Sequence, residues 1–197
     1  MTINDTSLDI LFRTARTANG FTSDPVSEGV VRQLYDLARM GPTSANCQPG
    51  RFVFLHSDSA KSRLLPAMMP GNVEKTRSAP LTVIVAHDTQ FQELLPKVFP
   101  HAPQMRDMFV GEERRALREA TAFRNGSLQG AYLIMAARAL GLACGPMSGF
   151  DAAKVDGEFF PSGRFKTNFL VNIGIADHSK TMARSPRLEF DEACSLL

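Results

Sequence analysis

The sequence predicts a single α+β domain. Two segments, 28–40 and 127–140, carry apolar residues at helical spacing, while three short apolar runs at 52–56, 81–87 and 165–176 read as strands. No internal repeat, low-complexity tract or long linker divides the 197 residues, so residues 1–197 form one unit. A composition of 44% hydrophobic and 21% charged residues is that of an ordinary globular protein with a buried core.

Leu8, Leu11, Phe12 and Ala15 recur at helical spacing behind Ser7, a suitable N-cap, so the chain opens with a short amphipathic helix ending near Arg16. A turn follows at 17–21. Ser27 then caps a second helix, with Val30, Val31, Leu34, Leu37 and Ala38 inward and Gly41 and Pro42 as its stop. Residues 41–52, GPTSANCQPGRF, are mostly small or polar and bury little. Either this stretch is an idle surface loop, or its hydroxyls, amides and free backbone N–H groups hold something. The run at 81–87 is nearly continuous in apolar residues, the mark of a strand buried on both faces.

Between the first two strands the sequence predicts a helix around 59–65 and a loop, MMPGNVEKTRSAP, rich in turn formers. Residues 89–121 have helical character broken at Pro96, Pro100 and Pro103, which predicts an excursion over the surface. In the helix at 127–140, Gly130, Ala131, Ala136, Ala137 and Ala139 leave little bulk, which favours close packing against another helix. The tail from His178 is polar at first and then places Phe190, Ala193, Cys194 and Leu197 at helical spacing. It has little core of its own and is expected to dock elsewhere.

A net charge of +2 with interspersed signs excludes the basic surface of a nucleic-acid protein and favours small-molecule chemistry. Three cysteines without CxxC spacing and four scattered histidines indicate neither a disulfide framework nor a metal site. No apolar run reaches the roughly 18 residues of a membrane span, and the N-terminal stretch carries acidic residues before its first apolar segment. A cytoplasmic, thiol-reducing compartment fits this pattern. No strand-linked GxGxxG, GxxxxGK[ST] or HExxH occurs, and Ser148 has Pro146 and Phe150 where a nucleophile elbow needs glycines.

Five polar segments remain at the ends of predicted elements: RTANG at 16–20, PTSAN at 42–46, NVEK at 72–75, GPMSG at 145–149 and RSPR at 184–187. Singly they read as helix ends, turns and a solvated tail. In this order, and within the runs DLARMGPTSANCQPGRFVF, SLQGAYLIMAARALGL, CGPMSGFD and RSPRLEFDEA, the chain resembles the FMN-dependent nitroreductase superfamily over essentially its whole length. It is most similar to the branch of malonic semialdehyde reductases (3-hydroxypropionate dehydrogenases) of bacterial pyrimidine utilisation.

The resemblance implies a three-layer fold with a central mixed, mostly antiparallel sheet flanked by helices, in an intertwined homodimer with FMN at the subunit interface. Arg16 and Thr17 match the segment at the flavin's phosphate end. Pro42, Thr43, Ser44 and Asn46 match the segment that reaches the isoalloxazine and ribityl from the second subunit. Asn72 and Lys75 match the pair beside the flavin pyrimidine edge, where two-electron reduction leaves negative charge that an ammonium favours. Pro146, Met147, Ser148 and Gly149 match the segment lining the ring near N5, with Lys75 and Ser148 as flavin-tuning candidates. Asn125 is expected among the cofactor-binding residues, and Arg184 and Arg187 match the C-terminal basic group on the phosphate. Ala18 and Gly20 stand where many members carry serine and a basic residue, which shifts phosphate binding towards Arg16, Arg187 and backbone N–H groups. Ser148 stands where many carry glutamate, which changes the charge over the flavin.

The activity so implied is ping-pong transfer of hydride from NADH or NADPH through flavin N5 to an acceptor, with malonic semialdehyde reduced to 3-hydroxypropionate. No side chain need act as nucleophile. A nitroaromatic or quinone reductase is the alternative within the same class, and a non-catalytic flavin-binding protein the alternative outside it.

Overall fold

A computed structural model describes residues 2–197. Four strands, β1 (Gly50–Leu55), β2 (Leu81–Asp88), β3 (Ala143–Met147) and β4 (Phe165–Gly174), form one sheet in the order β1-β2-β4-β3. All three pairings are antiparallel. The expectation of a mixed sheet is corrected accordingly: the parallel component among the described residues is a single isolated bridge between Thr17 and Cys144.

Helices cover both faces, which makes three layers. On one face α2 (Glu28–Ala38) and α6 (Arg115–Ala139) pack Leu34, Ala38, Leu133 and Ala137 on Val83, Val85 and Val171. On the other, α3 (Asp58–Leu64) and α7 (Ala152–Phe159) bring Leu64 and Val155 onto Ile84, Ala86 and Leu170. Strand β2 alternates between these cores and is buried along its whole length, as its continuous apolar run predicts. The excursion after β2 contains the short helix α5 (Leu95–Val98) and packs Phe91, Leu95 and Phe109 against Cys47 and Ala122 in a core of its own. Pro96 and Pro103 stand in the first turns of its helical pieces, where a missing N–H costs nothing.

Several elements differ from expectation. The first helix, α1 (Asp5–Leu8), is capped by Asn4, whose side chain accepts from the Ser7 N–H, and it continues as one wide turn over Asp9–Arg13. Ser27 caps α2 as expected, but Leu37 is exposed. A nine-residue helix, α4 (Pro70–Ser78), occupies the predicted loop, with its proline again in the first turn. Helix α6 begins at Arg115 rather than Ser127. The Ser127 hydroxyl does not cap a start but bonds back to the Phe123 carbonyl at 2.8 Å. Strand β3 lies where the sequence reads as a turn, and α7, capped by Asp151, has no counterpart in the sequence reading.

The small residues of α6 serve the sheet as well as a helix. A Cβ on Gly130 would lie 2.4 Å from the Phe169 ring and one on Gly41, past the end of α2, 2.6 Å from the Tyr132 ring. The tail closes in a single exposed turn, α8 (Phe190–Ala193), held by a capping box between Glu189 and Glu192. No helix among the described residues is long and apolar enough to cross a membrane.

Candidate functional site

Strand β3 is an outer strand of the sheet, and Pro146 stands on it exposed, a position where proline is tolerated. The segment at 16–20 lies along that edge. Thr17 bridges Cys144, the Ala18 N–H donates to the Cys144 carbonyl at 2.9 Å, and Gly145 admits the Ala18 carbonyl where a Cβ would stand 2.6 Å away. Residues 146–149 continue directly from this contact.

Helix α4 is stitched to the same segment. Asn72 donates from Nδ2 to the Gly149 carbonyl at 2.9 Å, the Met69 N–H donates to the same oxygen at 3.1 Å, and Met68 pairs with Phe150. Thr76 donates from its buried hydroxyl to the Met147 sulfur at 3.8 Å. Lys75 is half-buried beside these residues, and the neighbouring carboxylate of Glu74 pairs with Arg77 at 3.1 Å instead. The motif N-x-x-K at 72–75, expected in a loop, is therefore carried on a rigid helical turn.

Beyond the 16–20 segment, Arg16, Arg138, Arg184 and Arg187 line one cavity of about 330 Å³ together with Thr17 and Asn19. Among the described residues their hydrogen bonds go to backbone carbonyls and, for Arg138, to the Met135 sulfur as well, rather than to carboxylates. Arg16 donates to the carbonyls of Arg13, Thr14 and Ala15, and Arg184 to those of Phe12, Arg13 and Ala15. Arg138 donates to Leu11, and Arg187 to Ser185 and Pro186. Burial, then repulsion from Arg16, Arg187 and Arg138, pulls the Arg184 guanidinium below its usual range. Among the described residues no carboxylate pairs with these four guanidiniums, and guanidiniums suit the oxygens of a phosphate.

The segment at 42–46 lies elsewhere. It leads into β1, the opposite edge of the sheet, three strand spacings or roughly 14 Å from β3. Its backbone is unusual: Ala45, Asn46 and Gln48 have φ of 49°, 49° and 40°, in the left-handed region that L residues seldom enter. Asn46 spends its side chain within the chain, Nδ2 donating to the Val98 carbonyl at 2.7 Å and Oδ1 accepting from Gln48 at 2.9 Å. Pro42 and Ser44 are exposed and Thr43 half-buried.

Asn125 lies beneath the loop at 42–46 rather than among the residues lining the arginine cavity. It is fully buried on α6, with Nδ2 donating to the Thr121 carbonyl and Oδ1 accepting from the Ser44 N–H, both at 2.8 Å, so it supports the loop from beneath. Two further residues were not expected. Arg138 joins the arginine cavity from the far end of α6, and buried Gln129 accepts from the Gly50 N–H at 2.6 Å. For Gln129 a signal was present: a polar residue one turn after Asn125 in a helix of small residues has a partner to satisfy. Gly20 leaves room for Lys180, whose Cδ would meet a Cβ at 2.4 Å.

One copy of the chain thus joins 16–17, 72–75, 146–149 and 184–187 along the β3 edge, and separates them from 42–46. Burial pushes the thiols of Cys47 and Cys144 up to about 11 and about 12, so neither is a nucleophile at neutral pH. Among the described residues no cluster of His, Cys, Asp or Glu could hold a metal ion.

The family model described as "Nitroreductase family" matches residues 13–164. Proteins provisionally named NADH dehydrogenase/NAD(P)H nitroreductase are similar over nearly the full length. That of Polynucleobacter asymbioticus is 55% identical over 195 residues (99% of this chain, 98% of the relative), and that of Rhodopseudomonas palustris 56% identical over 196 residues (100% and 98%). Among solved structures, a provisionally named nitroreductase in complex with FMN from Exiguobacterium sibiricum superposes with a TM-score of 0.87 at 20% identity, covering 100% of this chain and 99% of that one. A provisionally named nitroreductase from Bacillus subtilis gives 0.89 at 21% identity, covering 98% and 100%. On the family match and these close relatives, the chain belongs to the nitroreductase family.

Proposed function

We propose that the protein is an FMN-dependent NAD(P)H oxidoreductase. The observation that carries this reading is the arginine cavity: Arg16, Arg138, Arg184 and Arg187 gathered beside the β3 edge, with no carboxylate among their hydrogen-bond acceptors in the described residues. A phosphate is the group this cavity suits, and the polar, close-packed wall of Asn72, Lys75 and residues 146–149 stands beside the same edge.

When bound, FMN would supply two-electron transfer between a nicotinamide and an acceptor. The chain's own residues would do the rest. Arg16, Arg184 and Arg187 would hold the phosphate, with Thr17 beside them. Asn72 fixes the Gly149 carbonyl and so the course of 146–149. Lys75 would place a positive charge where the reduced ring gathers negative charge, and exposed Ser148 would be available to face a substrate.

The segment at 42–46 belongs to this reading only through a second copy, because in one chain it sits at the opposite sheet edge. Support for a homodimer comes from the apolar surface of the paired helices α2 and α6, where Tyr35, Leu37, Met40, Leu128 and Tyr132 are exposed, and from the tail, where Leu188, Phe190 and Leu196 are. Permanent interfaces bury upwards of about 2,000 Å², and sedimentation at micromolar protein measures the state.

The names of the close relatives favour a nitro acceptor, with a quinone as the alternative of the same class. Malonic semialdehyde is the finer reading, which rests on the sequence resemblance. The test is one series: titrate the protein with FMN, bleach the flavin anaerobically with NADH or NADPH, then restore its absorbance with a nitroaromatic, a quinone or malonic semialdehyde. Failure to take up FMN rejects the reading. Uptake without bleaching identifies a non-catalytic flavin-binding protein, and the acceptor with the highest kcat/KM names the substrate class.

A further inference from the structure

We propose that Asn125 and Gln129 of α6 are positioning residues that hold the segment at 43–50 in its left-handed shape for ligand binding; this rests on the flavin reading above. The inference starts from the backbone. Ala45, Asn46 and Gln48 all have positive φ, a conformation that asparagine tolerates but that disfavours Ala45 and Gln48. Left to itself such a segment relaxes. Strain of this kind persists only where surrounding contacts over-determine it, and it gathers at ligand sites.

The over-determining contacts come from one face of α6. Asn125 Oδ1 accepts from the Ser44 N–H at 2.8 Å, and one helical turn later Gln129 Oε1 accepts from the Gly50 N–H at 2.6 Å. These two bonds bracket the strained residues on both sides. The orientation of the Asn125 amide is set independently, because its Nδ2 donates to the Thr121 carbonyl at 2.8 Å. Gly50 is matched to Gln129 by shape: a Cβ there would stand 2.7 Å from Oε1. Inside the loop the Gln48 N–H donates to Thr43 Oγ1 at 3.2 Å, and Asn46 reaches the Val98 carbonyl at 2.7 Å.

Asn125 and Gln129 lie 0% and 4% exposed on a helix whose other buried residues are small or apolar. Apolar side chains there would pack without any need for partners, whereas buried amides cost free energy unless paired. What the amides add is directional control of two loop N–H groups. That control has value if the loop must keep a strained shape, with exposed Ser44 presented outward. The role is separate from contact with the phosphate: Gln129 lines a cavity beside Gln48, Gly50 and Arg51, and neither amide lines the cavity of Arg16, Arg138, Arg184 and Arg187.

The experiment compares Gln129→Met, which keeps the volume and removes the acceptor, with Gln129→Glu, which restores an oxygen at the same reach, and with Asn125→Leu. Two readouts are taken on each protein: FMN affinity by fluorescence titration, and hydrogen exchange of the amides at 44–50 without ligand. Gln129→Met and Asn125→Leu are expected to bind FMN about tenfold more weakly and to exchange faster at 44–50. Gln129→Glu is expected to stay within about threefold of the parent affinity. Equal FMN affinity and unchanged exchange in Gln129→Met would overturn the inference, as would a Gln129→Glu protein as impaired as Gln129→Met. If the parent protein takes up no FMN, the flavin reading falls and this role with it; if the parent binds and Gln129→Met binds equally, the inference alone falls.

Discussion

Asn72 and Gly149, far apart in the chain, share a hydrogen bond from Nδ2 to the carbonyl oxygen at 2.9 Å, and a Cβ on Gly149 would stand only 2.5 Å from that nitrogen. The bond and the missing side chain are one device: glycine lets α4 close on the segment that follows β3. Gly149→Ala should therefore push Asn72 away and lose the bond, at a cost of about 1–3 kcal/mol. Adding Asn72→Ala to Gly149→Ala should cost little more, because the shared contact is already gone. Urea unfolding of the two single variants and the double variant measures this; additive losses would mean that the two residues act separately.

The arginine cavity makes a prediction that a ligand without phosphate can check. Arg16→Ala, Arg138→Ala or Arg187→Ala removes one guanidinium from the shared cavity. Each should weaken FMN binding about tenfold to a hundredfold, whereas riboflavin, which lacks the phosphate, should bind each variant as it binds the parent. Fluorescence titration with both flavins separates the outcomes, and an equal loss for both would place the arginines elsewhere on the ligand.

Lys75 is half-buried on α4, one turn after Asn72, and its neighbour Glu74 is already paired with Arg77. Its charge should favour the negative charge that two-electron reduction places on the flavin ring. Lys75→Met should lower the two-electron potential by on the order of 30 mV for a coupling of about 1.4 kcal/mol, with a smaller effect on binding of the neutral oxidised ring. Spectroelectrochemical titration decides the matter, and an equal or higher potential in Lys75→Met removes the lysine from the flavin.

His87 gives the fold a defined acid sensitivity. It is 8% exposed between β2 and α6, packs edge-on to Phe123, and its Nδ1 has no hydrogen-bond partner among the described residues. Burial, only partly opposed by Asp156, Asp88 and Glu119, holds its pKa below the ordinary value, which is about 6.5. The folded state therefore favours the neutral ring. Its contribution to stability is complete above the unfolded value and is lost as pH falls from about 6.5 through the depressed folded pKa. His87→Phe should show a smaller fall in melting temperature between about pH 7 and pH 5 than the parent. Equal falls would assign the acid sensitivity to other groups.

Periodicity and capping made much of the fold readable. The inward face of α2 with its Ser27 cap and the doubly buried β2 follow from local pattern, because 3.6-residue and continuous apolar repeats report directly on which sides meet a core. Local pattern misled where turn formers had other uses. Pro70 and Gly71 read as loop but begin α4, and Gly145 and Pro146 read as a turn but lie in β3, since an edge strand tolerates proline and Gly145 is needed for the approach of Ala18.

For the site, the sequence by itself identified the polar segments that stand out from the core pattern, from Arg16 and Thr17 to Arg184 and Arg187. Tertiary structure decided how they group. Strand order sends residues 42–46 to one sheet edge and the arginines to the other, a consequence of pairing between distant segments that no local window contains. It also decided that Asn125 and Gln129 turn inward to the loop while Arg138, on the same helix, turns to the arginine cavity. The physical reason is that helical spacing relates side chains on one helix to each other, whereas their partners are set by what the sheet and loops bring opposite each face.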